Sequence, residues 1–219
     1  MDTLIIFDCD GTLVNSEHLY NSITAELLNE LGYAEYTPEL CLELFAGHSW
    51  STIRHIIEAR HSEPLPDDLI PRYIRIANQK MHHDFDATPN ANKVVSDFHG
   101  KHKICVASNG ERNNVLKSLE VTDLLQYFED HHIFTKIQVP RPKPAPDLFE
   151  FACAQMDHSP DKAIIIEDSA TGVEAAKAAG IKVLGYIGAA HDKNKQAEKL
   201  KKAGADVLIE CLIHIEKHI

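Results

Sequence analysis

Two aspartates one residue apart, Asp8 and Asp10, stand at the end of a short apolar run, Leu4-Ile5-Ile6-Phe7, and Gly11-Thr12 follow at once. The run predicts a buried strand, and its abrupt polar end predicts the carboxyl edge of a sheet, where open α/β folds bind ligands. On an extended backbone, residues i and i+2 point the same way. Two like charges so placed repel unless a cation or a shared proton offsets them. The pair therefore predicts chemistry: a metal ion together with a nucleophile and an acid.

Three further segments carry polar residues at or just after predicted strand ends. Ser108-Asn109-Gly110 follows Ile104-Cys105-Val106-Ala107, and Glu167-Asp168-Ser169 follows Ile164-Ile165-Ile166. Between them lies Arg141-Pro142-Lys143-Pro144-Ala145-Pro146-Asp147. Each is weak alone: Ser-Asn is a common dipeptide, Lys-Pro-x-Pro suits a stiff loop, and Glu-Asp suits a helix start. In a parallel sheet all four converge on one edge, and the set suits phosphoryl transfer. Carboxylates such as Asp8 and Asp168 match Mg²⁺, which takes oxygen ligands. Ser108 and the amides after it match a phosphate cradle. Lys143 supplies a point charge for phosphate oxygens and for an attacking carboxylate. A carboxylate nucleophile on phosphorus gives an aspartyl-phosphate, and a second carboxylate can protonate the leaving oxygen and then activate water. Asp8 fits the first role and Asp10 the second.

The elements that must position these residues follow from the pattern. Strands are predicted at Leu4–Asp8, Lys103–Ala107, Ala163–Glu167, Lys182–Tyr186 and Ala205–Leu208, with amphipathic helices near 111–120, 146–156, 171–179 and 193–203. That alternation predicts an α/β fold, a Rossmann-like parallel sheet. Residues 16–87 break it. Leu19, Tyr20, Ile23, Leu27, Leu28 and Leu31 keep helical spacing, Thr37-Pro38 reads as a helix start, and 51–60 and 67–82 read as further helices. The expected organisation is a core of residues 1–15 and 88–219 with an inserted all-helical cap of 16–87. A cap at that edge of the sheet is placed to act as a lid.

Composition narrows the remaining classes. The chain has 219 residues, 44% hydrophobic and 25% charged, with a formal net charge of −11. That charge argues against nucleic acid as a partner. No apolar run approaches the roughly 20 residues of a membrane helix. The start has no basic leader ahead of its apolar run, and the five cysteines are scattered without C-x-x-C, so a cytoplasmic, thiol-reducing setting is expected. A monomer or weak homodimer is expected. The fourteen histidines, with adjacent pairs at His82-His83 and His131-His132, read as scattered surface residues rather than a zinc site.

In order and spacing the four blocks resemble those of the haloacid dehalogenase superfamily, and the helical insert resembles the small cap of its β-phosphoglucomutase-like branch. The resemblance implies Asp8 as nucleophile and Mg²⁺ ligand, and Asp10 as general acid/base that binds the metal through its backbone carbonyl. It implies Ser108, Asn109 and Lys143 as phosphoryl-binding, and Asp168 as metal ligand with Glu167 as ligand or support. Asp10 favours phosphate esters over halides, since a halide leaves without a proton. Thr12 resembles the hydrolases more than the mutase. The positions where hexose-phosphate mutases carry a His and a cap Arg are Tyr20 and Trp50 here. The resemblance therefore implies a phosphatase of a small phosphorylated metabolite, a sugar phosphate or phosphogluconate-like compound. A phosphotransferase of the mutase kind is the alternative, and a phosphate-binding sensor the third reading. His48 and Trp50 in the cap loop are candidate substrate contacts, with packing inside the cap an equal reading for Trp50. Asn15 departs from the family's usual Asp at the hinge, where Asn can still cap a helix. Cys9 is expected to be buried packing.

Overall fold

A computed structural model describes residues 3–45, 50–80 and 86–219. The chain packs as two compact units, Met1–Asn15 with Phe85–Ile219, and Ser16–Asp84.

The first unit is built on strands β1 (Leu4–Phe7), β4 (Lys103–Ser108), β5 (Ile133–Thr135), β6 (Ala163–Glu167), β7 (Lys182–Tyr186) and β8 (Val207–Ile209); β2 (Val14–Asn15) and β3 (Asp86–Ala87) pair separately as an antiparallel ladder. The six main strands are all parallel, in the order β5-β4-β1-β6-β7-β8. The chain leaves β1 toward β4 and β5, then returns to the other side for β6. The strand order thus reverses at β1, and the carboxyl end of β1 is the crevice that such a switch point opens. Leu4, Ile5, Ile6, Cys105, Val106, Ile165 and Ile166 are fully buried. Near-continuous apolar runs of this kind are what a sheet covered on both faces requires.

Among the described residues this unit has the α-helices α5 (Ala91–Phe98), α6 (Arg112–Val121), α7 (Asp147–Gln155), α8 (Ala170–Ala178) and α9 (Lys193–Ala203). Leu148, Phe149, Ala152 and Cys153 of α7 and Val173, Ala175 and Ala176 of α8 pack into one core cluster with the sheet.

The second unit contains α1 (Glu17–Glu30), α2 (Pro38–Phe45), α3 (Trp50–His61) and α4 (Leu69–Lys80). Leu19, Ile23, Leu27 and Leu28 of α1 are buried, as their spacing predicts. Thr37 Oγ1 accepts the Leu40 amide at 3.2 Å, so Thr37-Pro38 opens α2 as read. Tyr36 is fully buried, stacks on Phe45 and pairs its hydroxyl with His61 Nε2 at 3.0 Å. No helix among the described residues is long and apolar enough to cross a membrane.

Several local expectations are corrected. β5, with three residues, and α5, with two turns, are too short to stand out in sequence. Residues 86 and 87, read as part of the insert, belong to the β2–β3 ladder in the first unit. Asn15 lies in β2 rather than capping α1; Ser16 holds the N-cap position without a side-chain cap bond.

Candidate active site

Strand β1 ends at Phe7, one residue earlier than read. Asp8 is tied to β6 by its own amide, which donates to the Ile166 carbonyl at 3.0 Å. Asp10 is not aligned by strand alternation. A tight turn places it: the Leu13 and Val14 amides both donate to the Cys9 carbonyl at 2.9 Å, and the Gly11 amide donates to the Val14 carbonyl at 2.8 Å. Gly11 has φ +83°, and a Cβ there would lie 2.1 Å from Asp168 Oδ2. The turn thus needs glycine for its backbone and for the close approach of Asp168. Cys9, between the aspartates, is fully buried, and burial pushes its thiol well up.

Lys143 is the hub. Its Nζ donates to Asp8 Oδ1 at 2.8 Å, to the Ala107 carbonyl at 2.8 Å and to Glu167 Oε1 at 2.7 Å. All three ammonium protons thereby have acceptors. Nζ also sits 4.7 Å from the centroid of the Phe149 ring. Lys143, Asp8 and Glu167 are 6%, 7% and 1% exposed, so these charges act with little solvent between them. Burial opposes the Lys143 ammonium, but Asp8 and Glu167 outweigh it and raise its pKa.

The segment carrying Lys143 is held by the loop after β4. Asn109 Nδ2 donates to the Lys143 carbonyl and Asn109 Oδ1 accepts the Lys143 amide, each at 3.0 Å. Ser108, buried at the end of β4, accepts the Gly110 amide on its Oγ at 3.0 Å. Asp10 Oδ2 comes within 3.7 Å of the place a Gly110 Cβ would take. On the other side, Glu167 Oε2 accepts both the amide and the Oγ of Ser169 at 2.8 Å. Thr12 Oγ1 reaches Asp168 Oδ1 at 3.5 Å, and Gln196 Nε2 donates to the Asp168 carbonyl. Gln196 lies on α9, and nothing in the sequence around it points at the site.

Asp8, Asp10, Ser108, Asn109, Lys143, Glu167 and Asp168 therefore meet at the carboxyl edge of the sheet. Asp8, Glu167 and Asp168 each bring a carboxylate oxygen within 4.8 Å of the others. Burial is the largest influence on Asp8 and raises its carboxyl to about 7, with Lys143 opposing and Glu167 and Asp10 adding to the rise. Asp168 keeps some surface access, yet desolvation first, then Glu167 and Asp8, push it well above the carboxylate range. Asp8 and Glu167 share the buried Lys143 ammonium, and Asp10 and Asp168 add negative charge beside them. That excess of negative charge on hard oxygen donors fits a divalent cation such as Mg²⁺.

Of the two cap candidates, His48 lies outside the described residues. Trp50 packs against Tyr73 of the same helical unit, ring centroids 4.7 Å apart. The adjacent histidines His131 and His132 do come together with Glu129. They lie at the amino end of β5, away from this edge, where His131 Nε2 pairs with Glu129 at 3.2 Å.

A family model described as haloacid dehalogenase-like hydrolase matches residues 5–186. The chain belongs to that family. It is 27% identical over 190 residues to a 6-phosphogluconate phosphatase of Escherichia coli, covering 86% of this chain and 84% of that one. It is 27% identical over 218 residues to a phosphorylated carbohydrates phosphatase of Thermotoga maritima, covering 98% of each. Among solved structures, a HAD family hydrolase of Deinococcus radiodurans with bound phosphate and sodium superposes with a TM-score of 0.85 at 26% identity, over 99% of this chain and 94% of that one. The resemblance drawn from the four sequence blocks and the α/β fold expected from the strand pattern both stand.

Proposed function

We propose that this haloacid dehalogenase-like protein is a Mg²⁺-dependent phosphatase of a small phosphorylated metabolite, a sugar phosphate or phosphogluconate-like compound, working through an aspartyl-phosphate. The observation that supports it most is Lys143 bridging Asp8 and Glu167 with Asp10 and Asp168 alongside. The named activities of the relatives support the substrate class.

In this reading Asp8 attacks phosphorus with Oδ2, the oxygen that Lys143 does not hold. The P–O bond to the leaving group breaks as the Asp8–P bond forms. Asp10 gives its proton to the departing alkoxide and later takes one from the water that attacks the acyl phosphate, so inorganic phosphate is released and Asp8 and protonated Asp10 are regenerated. Lys143 steadies the negative charge on the phosphoryl oxygens, with Ser108 and the amides after it as the cradle. Asp8, the Asp10 carbonyl and Asp168 would hold Mg²⁺, with Glu167 beside them. When bound, the ion neutralises phosphoryl charge and aligns it with Asp8.

The test is phosphate release from a panel of phosphorylated sugars and sugar acids, with Mg²⁺ and with EDTA, beside Asp8→Asn. Release that needs the metal and is absent in the variant supports the reading. Release that persists in Asp8→Asn sinks the nucleophile assignment. Isomerised phosphosugar without release would turn the reading to the mutase.

A further inference from the structure

Strand β6 and helix α8 are joined by two residues, Asp168 and Ser169. Ser169 caps α8, its Oγ accepting the Gly172 amide at 3.0 Å. So tight a junction turns the first turn of the helix back over the strand end, and Gly172 lies against the Glu167 side chain. A Cβ at Gly172 would stand 1.7 Å from Glu167 Oε1, 1.9 Å from its Cδ and 2.4 Å from Oε2. Gly172 sits within the helix with none of the left-handed backbone that calls for glycine. Glycine there is intrinsically unfavourable compared with alanine. Space, not conformation, is what the position requires.

Glu167 has nowhere cheap to move. Its side chain is 1% exposed, and both oxygens are held, Oε1 by Lys143 and Oε2 by Ser169. Any shift that clears a methyl group breaks one of these bonds. Lys143 would lose one of its three acceptors and tip on its remaining two, Asp8 and the Ala107 carbonyl.

We propose that Gly172 is a positioning residue: its missing side chain leaves the space from which Glu167 fixes Lys143 against Asp8. It touches neither substrate nor reacting atoms, and its role in turnover rests on the phosphatase reading. A displacement of the reacting groups by about 1 Å can lower a rate about a hundredfold. Gly172→Ala is therefore expected to lose kcat by about that factor while KM moves less than about threefold.

The test pairs Gly172→Ala with Glu167→Asp, which withdraws the carboxylate by one methylene from the added methyl. Because Glu167→Asp itself draws the carboxylate away from Lys143, the added methyl is expected to cost less than about tenfold in kcat in that background, and the Tm lost on Gly172→Ala is expected to shrink there. A crystal structure of Gly172→Ala is expected to show the Lys143–Glu167 bond broken. Wild-type kcat in Gly172→Ala, an intact Lys143–Glu167 bond in its crystal structure, or an equal loss of kcat and Tm from Gly172→Ala in the Glu167 and the Glu167→Asp backgrounds each overturns the proposal. If Gly172→Ala does not fold, restored folding in the double variant is the expected rescue, and a double variant that is also unfolded overturns it. Wild-type protein that hydrolyses no ester would sink the phosphatase reading alone, because the crystal structure and the Tm coupling still decide the contact.

Discussion

The Asn109 side-chain amide and the peptide groups of Lys143 bond one another twice, 34 residues apart in sequence and 3.0 Å apart at each contact. The clamp joins the loop after β4 to the segment that delivers the ammonium, so Ser108 with its following amides and the Lys143 ammonium are set by one side chain. Asn109→Ala removes both bonds and leaves the Lys143 amide without this acceptor. At about 0.5–1.5 kcal/mol net per bond, a stability loss of about 1–3 kcal/mol is expected by urea denaturation. A drop in kcat/KM of more than about tenfold is expected as Lys143 loosens. Full activity in a destabilised variant would show that the clamp serves folding only.

Removing the ammonium itself has a different consequence. Lys143→Met keeps length and apolar bulk but leaves Asp8 and Glu167, both buried, facing one another with no cation between them. Breaking a buried pair from one side typically costs about 3–5 kcal/mol, because the remaining charge is uncompensated. The expected result in urea denaturation of metal-free protein is a loss of that order, together with loss of turnover. A loss under about 1 kcal/mol would mean that the two carboxylates relax without help and that Lys143 is not the hub.

The parts of this architecture that the sequence discloses are those with a local pattern. Ile5-Ile6 and Ile164-Ile165-Ile166 announce strands buried on both faces, and Leu19, Ile23 and Leu27 announce a helix. The polar residues that end strands announce the site. What it conceals depends on contacts far apart in the chain or on elements too short for a period. β5 has three residues, and β2 and β3 have two each. In α5, Ala91, Val94, Val95 and Phe98 do form a buried face, but over only two turns. Strand alternation predicts the alignment of Asp8 and Asp10, whereas a turn through Gly11 produces it. The engagement of Glu167 with Lys143 crosses 24 residues. Gly172 is visible as a glycine inside a helical pattern, a signal whose meaning emerges only with the Glu167 carboxylate in place.

Asp10 can be separated from Asp8 by chemistry. If Asp10 protonates the leaving oxygen, Asp10→Asn should lower kcat by about 10²–10⁴ for an alkyl phosphate. The loss should be much smaller for a nitrophenyl phosphate, whose leaving group departs without a proton. Asp8→Asn should be inactive on both. Equal losses on the two esters in Asp10→Asn would reassign Asp10 to metal binding alone.

The titration of Asp8 gives the site a pH signature. Burial first, and its carboxylate neighbours, raise its pKa from 3.8 to about 7. An acid whose pKa is higher in the folded than in the unfolded chain favours folding fully below the unfolded value, and that contribution is lost as pH rises through the folded value. Metal-free protein should therefore lose stability from this site between about pH 4 and pH 7. Asp168, raised in the same direction by burial and by the same carboxylates, adds to the loss. A divalent ion needs the deprotonated carboxylates and stabilises the native state by mass action, so Mg²⁺ should raise Tm more at pH 8 than at pH 5. Asp8→Asn should flatten the metal-free profile and shrink the Mg²⁺ response. Thermal melts of both proteins at the two pH values, with EDTA and with Mg²⁺, measure all of this. A Mg²⁺ shift equal at pH 5 and pH 8, or unchanged in Asp8→Asn, would place the ion somewhere other than this cluster.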